Sequence, residues 1–127
     1  MSFGTVVSCM DGRIHLPVIN FLQERFGVDH IDKITEAGPV GIISEHPGGS
    51  QVKSIFRLID ISINSHASTG IAIVAHHDCA GNPIPDSDQK LQLQACLGIF
   101  AERYPGYQII GLWLDEKLDI HEYSALE

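Results

Sequence analysis

Two short clusters in this chain carry residue types that bind metals and move protons. The first is Cys9-Met10-Asp11-Gly12-Arg13, and the second, His76-His77-Asp78-Cys79, opens 67 positions after Cys9. Thiolates from Cys9 and Cys79 with the imidazole of His76 form a set suited to tetrahedral zinc. The fourth position stays open, as in catalytic rather than structural sites. No further Cys or His has ligand-like spacing to close it, although Asp11 is near enough in the chain to compete. His77 reads as the spare histidine, because neighbours at a strand end point to opposite faces. Alone, a cysteine at a strand end is most often a small buried hydrophobe, and His-x-x-Cys is a weak pattern. The pairing of the two clusters is what argues for metal.

Asp11 and Arg13 add a second layer of chemistry. Zinc held by two thiolates and a neutral imidazole carries little net charge, so it acidifies bound water less than a three-histidine site would. A nearby carboxylate can orient that water, and an arginine beside the carboxylate keeps it ionised and holds it by a bidentate pair. On its own, an Asp/Arg pair on the turn opening a helix is ordinary electrostatics. Beside metal ligands it takes a catalytic reading. His15 and His77 adjoin the clusters and titrate in a range useful for proton relay, but exposed surface histidines are the simpler expectation for both. Cys96 lies on the apolar stripe of a helix and is assigned to the core.

The elements that must position these residues follow from periodicity. Thr5 to Cys9 reads as a buried strand. Ile19, Leu22 and Phe26 recur at helical spacing between Leu16 and Phe26, with Gly27 as the stop. His30 to Thr35 reads as a second strand, and a Gly/Pro-rich loop runs from Ala37 to Gly49. Ser50 is placed as the cap of a helix whose Val52, Ile55, Phe56, Ile59 and Ile63 make one stripe. Gly70 to Ala75 is a continuous apolar run, as a covered parallel strand requires. Asn82-Pro83-Ile84-Pro85 marks a turn. Leu93, Cys96, Leu97 and Phe100 define a third helix closed by Pro105-Gly106; Tyr107 to Leu114 is the last strand, followed by a polar tail.

This alternation predicts an α/β fold with a mainly parallel four-stranded sheet flanked by helices, the first and third strands side by side. Ligands in such sheets bind beyond the carboxyl ends of the strands, at the switch point. Both clusters fall there.

Bulk properties narrow the function classes. The chain has 127 residues, expected to form one domain over 1–127, and 44% are hydrophobic, which excludes a disordered chain. Sixteen acidic against eight basic side chains give a net charge of −8 with no basic cluster, which argues against nucleic acid and anionic membranes as partners. No segment approaches the roughly 20 apolar residues of a membrane span, and MSFGTVVSCM lacks a basic leader segment, so no signal peptide is expected. Three cysteines are too few for a disulfide scaffold, and a cytoplasmic location is the expectation.

Cys-x-Asp-x-Arg followed by His-x-x-Cys resembles the two zinc motifs of the β-class carbonic anhydrases. The similarity extends to Ser54-Ile55-Phe56, close to the family's Ser-Ile-Glu, to Gly70–His76 leading into the second motif, and to Gly111-Leu112-Trp113-Leu114-Asp115 near the end. The resemblance implies that Cys9, His76 and Cys79 bind zinc and that Asp11 and Arg13 form the family's catalytic dyad. It implies a lyase that hydrates carbon dioxide to bicarbonate by attack of zinc-bound hydroxide, acting as a homodimer or higher homo-oligomer. In some members the aspartate swings onto the metal and closes the site. Thr35-Glu36-Ala37-Gly38-Pro39 departs from the family's Arg-Asn-Ala-Gly-Asn, and Ala80-Gly81 from its Gly-Gly. Only eight residues precede Cys9, where the family has a helical arm that embraces the second subunit.

Two alternatives use the same residues: hydrolysis of carbon disulfide or carbonyl sulfide, and a non-catalytic zinc-binding regulatory module. A Cys9/Cys79 redox pair lacks C-x-x-C spacing. A cysteine phosphatase would need a longer loop between Cys9 and Arg13.

Overall fold

The computed structural model describes residues 1–125. Five strands and four helices follow in the order β1 (Phe3–Cys9), α1 (His15–Phe26), β2 (His30–Glu36), α2 (Pro39–Glu45), α3 (Ser50–His66), β3 (Gly70–His76), α4 (Asp86–Arg103), β4 (Gln108–Leu114) and β5 (Ile120–Ser124). They form one sheet in the order β2-β1-β3-β4-β5. The first four strands are parallel, so the α/β expectation and the β1–β3 adjacency hold.

The expected four strands are five. Residues read as a polar tail form β5, antiparallel to β4 with Leu114 opposite Ile120 and Ile110 opposite Ser124. Its five residues are half-buried or exposed, so no apolar alternation betrays the strand. The connecting turn is built by Asp115, whose Oδ1 accepts the backbone N–H groups of Lys117 and Asp119 at 2.9 and 3.0 Å.

The segment expected as an open loop from Ala37 to Gly49 contains α2. Seven residues are too few to display a helical period, but Gly38-Pro39 is a legible start: Gly38 adopts φ +62° and Pro39 occupies the first turn. Gly49, not Ser50, is the cap of α3, with no side-chain hydrogen bond there.

Two cores cover the sheet. Val7, Ile34, Ile71, Ile73 and Trp113 pack with α2, α3 and α4 through Val40, Ile43, Ile55, Ile59, Leu93 and Phe100. On the opposite face, Val6, Ala72, Val74, Leu112 and Leu114 meet Ile14, Val18 and Leu22 at α1. Every residue of β3 is buried, which is why its sequence is an unbroken apolar run. Cys96 lies in the larger core with its thiol directed at the Val40 carbonyl, as the helical stripe implies. No helix among the described residues is long and apolar enough to cross a membrane.

Candidate metal centre

Cys9 is the last residue of β1 and His76 the last of β3. The two strands are parallel neighbours, with Val7 opposite Ile73, so their ends finish at the same level. Cys79 returns in the turn after His76. The three ligand atoms lie within 4.8 Å of one another, all buried.

The donor set fits a metal ion on two counts. His76 Nδ1 donates to the His77 carbonyl at 2.8 Å, which leaves Nε2 as the nitrogen carrying the lone pair. That Nε2 is buried and has no hydrogen-bond partner among the described residues. An unpaired buried polar atom costs about 1–3 kcal/mol, which a bound cation removes. The Cys9 and Cys79 sulfurs are 3.8 Å apart, and two sulfurs each about 2.3 Å from a tetrahedral zinc would stand about 3.8 Å apart.

Electrostatics split the two thiols. Burial works against the Cys9 thiolate, but His76, the Gly38 and Asp11 amides and Cys79 together outweigh it and bring its pKa down to about 7. Burial and the neighbouring Cys9 push Cys79 up. Burial pushes Cys96 up to about 12. At pH 8 the thiolate fraction of Cys96 is therefore about 10⁴-fold below that of Cys9. In metal-free protein, iodoacetamide at pH 8 is expected to label Cys9 first and Cys96 only after unfolding, with zinc protecting Cys9. Peptide mass spectrometry reads the order, and early labelling of Cys96 would contradict it.

Asp11 and Arg13 stand at the mouth of this centre. Asp11 Oδ1 accepts the backbone N–H of Arg13 at 2.9 Å and its Nε–H at 3.0 Å, while Oδ2 accepts Nη2–H at 2.7 Å. These bonds from Arg13 hold the Asp11 carboxyl well below the usual carboxylate range. Asp11 is thus ionised at any working pH, and it lines a cavity of about 380 Å³ with Cys9, Met10, Ala37, Ala80 and Gly81. The side chains of Met10, Ala37 and Ala80 in that lining are apolar.

The two loops that depart from the family pattern, at Ala37-Gly38-Pro39 and Ala80-Gly81, border this cavity. The segments 37–41 and 81–82 meet so closely that a Cβ on Gly81 would stand 2.6 Å from the Ala37 carbonyl carbon, and one on Gly38 would stand 2.6 Å from Asn82 Cβ. Asn82 is buried there, donating to Gln92 Oε1 at 2.7 Å and accepting from Gln89 Nε2 on its carbonyl at 2.8 Å. Gln92 in turn reaches Glu45 at 3.2 Å, so α2, α4 and the ligand turn are tied together. Gly81→Ala is expected to cost about 1–3 kcal/mol, because backbone has to move. Thermal unfolding checks it; an unchanged midpoint would mean that the loops separate freely.

The spare His77 points away from the ligand cluster. Its Nδ1 is 2.9 Å from both oxygens of Asp86 at the start of α4, and Glu116 lies nearby. His15 sits against the Lys33 ammonium on β2. Neither ring approaches the three ligand atoms as a fourth ligand.

A family profile described as "Putative carbonic anhydrase" matches residues 1–124. The chain is also similar in fold to the β-carbonic anhydrase CafA of the fungus Aspergillus fumigatus. The TM-score is 0.57 at 16% sequence identity, over 97% of this chain and 76% of that one. No curated protein matches the chain. A profile match spanning nearly every residue means that this chain belongs to the family described as "Putative carbonic anhydrase", on a sheet with the fold of a β-carbonic anhydrase.

Proposed function

We propose that the chain is a zinc-dependent enzyme that interconverts carbon dioxide and bicarbonate. The observation that carries the reading is the buried, unpartnered His76 Nε2 beside two thiols, with an ionised carboxylate at the same opening. Cys9 Sγ, His76 Nε2 and Cys79 Sγ would hold the ion, with the His76 Nδ1–H bond to His77 fixing the tautomer and the ring plane. Zinc at such a three-ligand site supplies a Lewis acid that brings the pKa of a water down toward neutrality.

The remaining roles belong to the chain. Arg13 keeps Asp11 ionised, so Asp11 accepts hydrogen bonds at its free lone pairs and does not donate them. It can therefore hold a water O–H and leave an oxygen lone pair directed into the cavity. Met10, Ala37 and Ala80 offer a linear, uncharged molecule apolar contact and no competing donor side chain. Of the substrates considered, carbon dioxide is the one the family profile supports.

Stopped-flow carbon dioxide hydration on zinc-loaded protein between about pH 6.5 and 9 tests the reading, with zinc content measured on the same sample. Turnover is expected to rise with pH. Asp11 contributes nothing to that slope, since it is ionised throughout the window. A fully loaded sample with no rate would overturn the proposal. Loading has its own pH dependence: Cys9 titrates at about 7 in the free protein, and binding releases its proton. Cys79, pushed up, must also give up its proton on binding, so protons compete across the whole window and apparent zinc affinity is expected to fall as pH drops from 8 to 6. Competition with a chromophoric chelator measures it.

A further inference from the structure

The Arg13 guanidinium has two anchors, from segments far apart in the chain: Asp11 and Asp78. One edge serves Asp11, as described. On the other side Nη2 donates to the backbone carbonyl of Asp78 at 3.1 Å, and Nη1 stands 3.5 Å from Asp78 Oδ2. The carbonyl is the firmer contact, since the Asp78 carboxylate is 74% exposed and at the outer limit of hydrogen-bond reach. Asp78 itself has φ +57°, the left-handed region that non-glycine residues enter rarely and Asn or Asp most readily. It lies between His76 and Cys79, and its backbone conformation sets the direction of its carbonyl. The Arg13 side chain is otherwise half exposed, with nothing else among the described residues holding its far end.

We propose that Asp78 is a positioning residue: its left-handed peptide carries a carbonyl that tethers Arg13 and thereby keeps Asp11 oriented at the metal centre. The inference rests on the reading of Asp11 and Arg13 as working groups of that site. An arginine is required because one planar fork must meet a carboxylate and a carbonyl together, which a lysine ammonium on a flexible stem does not reproduce. Asp78 acts through Arg13 and touches no reacting atom.

The test uses zinc-loaded full-length protein and follows the Arg13 Nε–H resonance by ¹⁵N NMR, which needs no turnover. Its solvent exchange is expected to be slow in the parent and in Asp78→Asn, which keeps the left-handed preference without the charge. In Asp78→Val a β-branched side chain disfavours that conformation, and exchange should accelerate about 5- to 30-fold, the population factor the backbone preference implies. Turnover of Asp78→Val should fall to that of Arg13→Ala, and the double variant should be no slower than Arg13→Ala alone. Zinc stoichiometry, held at one per chain, separates this from simple damage to the Cys79 turn.

Equal acceleration in Asp78→Asn and Asp78→Val would overturn the carbonyl tether in favour of the carboxylate. So would additivity of Asp78→Val with Arg13→Ala, or zinc loss as its only effect. Should Asp78→Val not fold, Arg13→Lys decides: turnover and pH profile equal to the parent would show that no bridge is needed. Protected Arg13 exchange that follows residue 78 in a protein without carbon dioxide hydration would uphold the tether and sink the activity instead.

Discussion

Cys79→Ser is expected to strip the centre of its metal. Serine nearly preserves the volume but replaces a thiolate by a hydroxyl that does not ionise at neutral pH, leaving one thiolate and one imidazole. Changes to groups that merely orient a ligand already cost about 10–100-fold in affinity, so removal of a ligand should cost more than about 100-fold. Equilibrium dialysis against zinc followed by elemental analysis reads this directly, and carbon dioxide hydration should vanish with the metal. Cys96→Ser is the control, because Cys96 lies on the core face of α4 against α2, apart from the ligand cluster. Full zinc occupancy in Cys79→Ser would remove Cys79 from the ligand set.

Asp11→Asn separates holding the metal from using it. The three ligands stay in place, so zinc content should be unchanged. The amide, however, carries no charge, and one of its two ends becomes a donor. If its Oδ1 keeps the Arg13 backbone and Nε bonds, its Nδ2 faces the Arg13 Nη2 donor. Asparagine either loses that bond or turns, and it no longer presents a carboxylate lone pair to the cavity. Loss of the group that orients the water is expected to lower turnover by about 10²-fold.

Stability should barely change. The depressed Asp11 pKa contributes stability that is present above the ordinary carboxylate range and is lost as pH falls through the folded value. Arg13 is half exposed, so solvent screens the contribution and it stays small at neutral pH. An unaltered rate in Asp11→Asn would make the Asp11–Arg13 pair a structural one.

The five residues of the candidate site were legible because their identities are distinctive and their positions fall at predicted strand ends. Asp78 was passed over, although it lies inside the second cluster. Its contribution is a backbone carbonyl whose direction depends on a left-handed turn and whose partner sits 65 residues away. Asn82 read as turn punctuation before a proline. In the fold it is a buried amide against Gly38 and Gly41, bonded to two glutamines of α4. Phe56, the one residue of Ser54-Ile55-Phe56 that differs from Ser-Ile-Glu, packs its ring against Phe100 at 5.7 Å and Tyr104 at 5.9 Å between centroids.

Hydrophobic periodicity and side-chain chemistry are local properties, so the chain alone was enough to specify alternating strands and helices and a thiol–imidazole donor set. It was also enough to place an acid beside a base next to that set. Through-space relations needed the folded molecule. The β1–β3 pairing that brings Cys9 to His76 and the contact of two glycine loops around the cavity depend on backbone separated by tens of residues, and the ring nitrogen left bare depends on how the turn after β3 aims the His77 carbonyl. β5 also needed the fold, because its mixed surface gives no periodic signal and only its pairing with β4 makes it a strand.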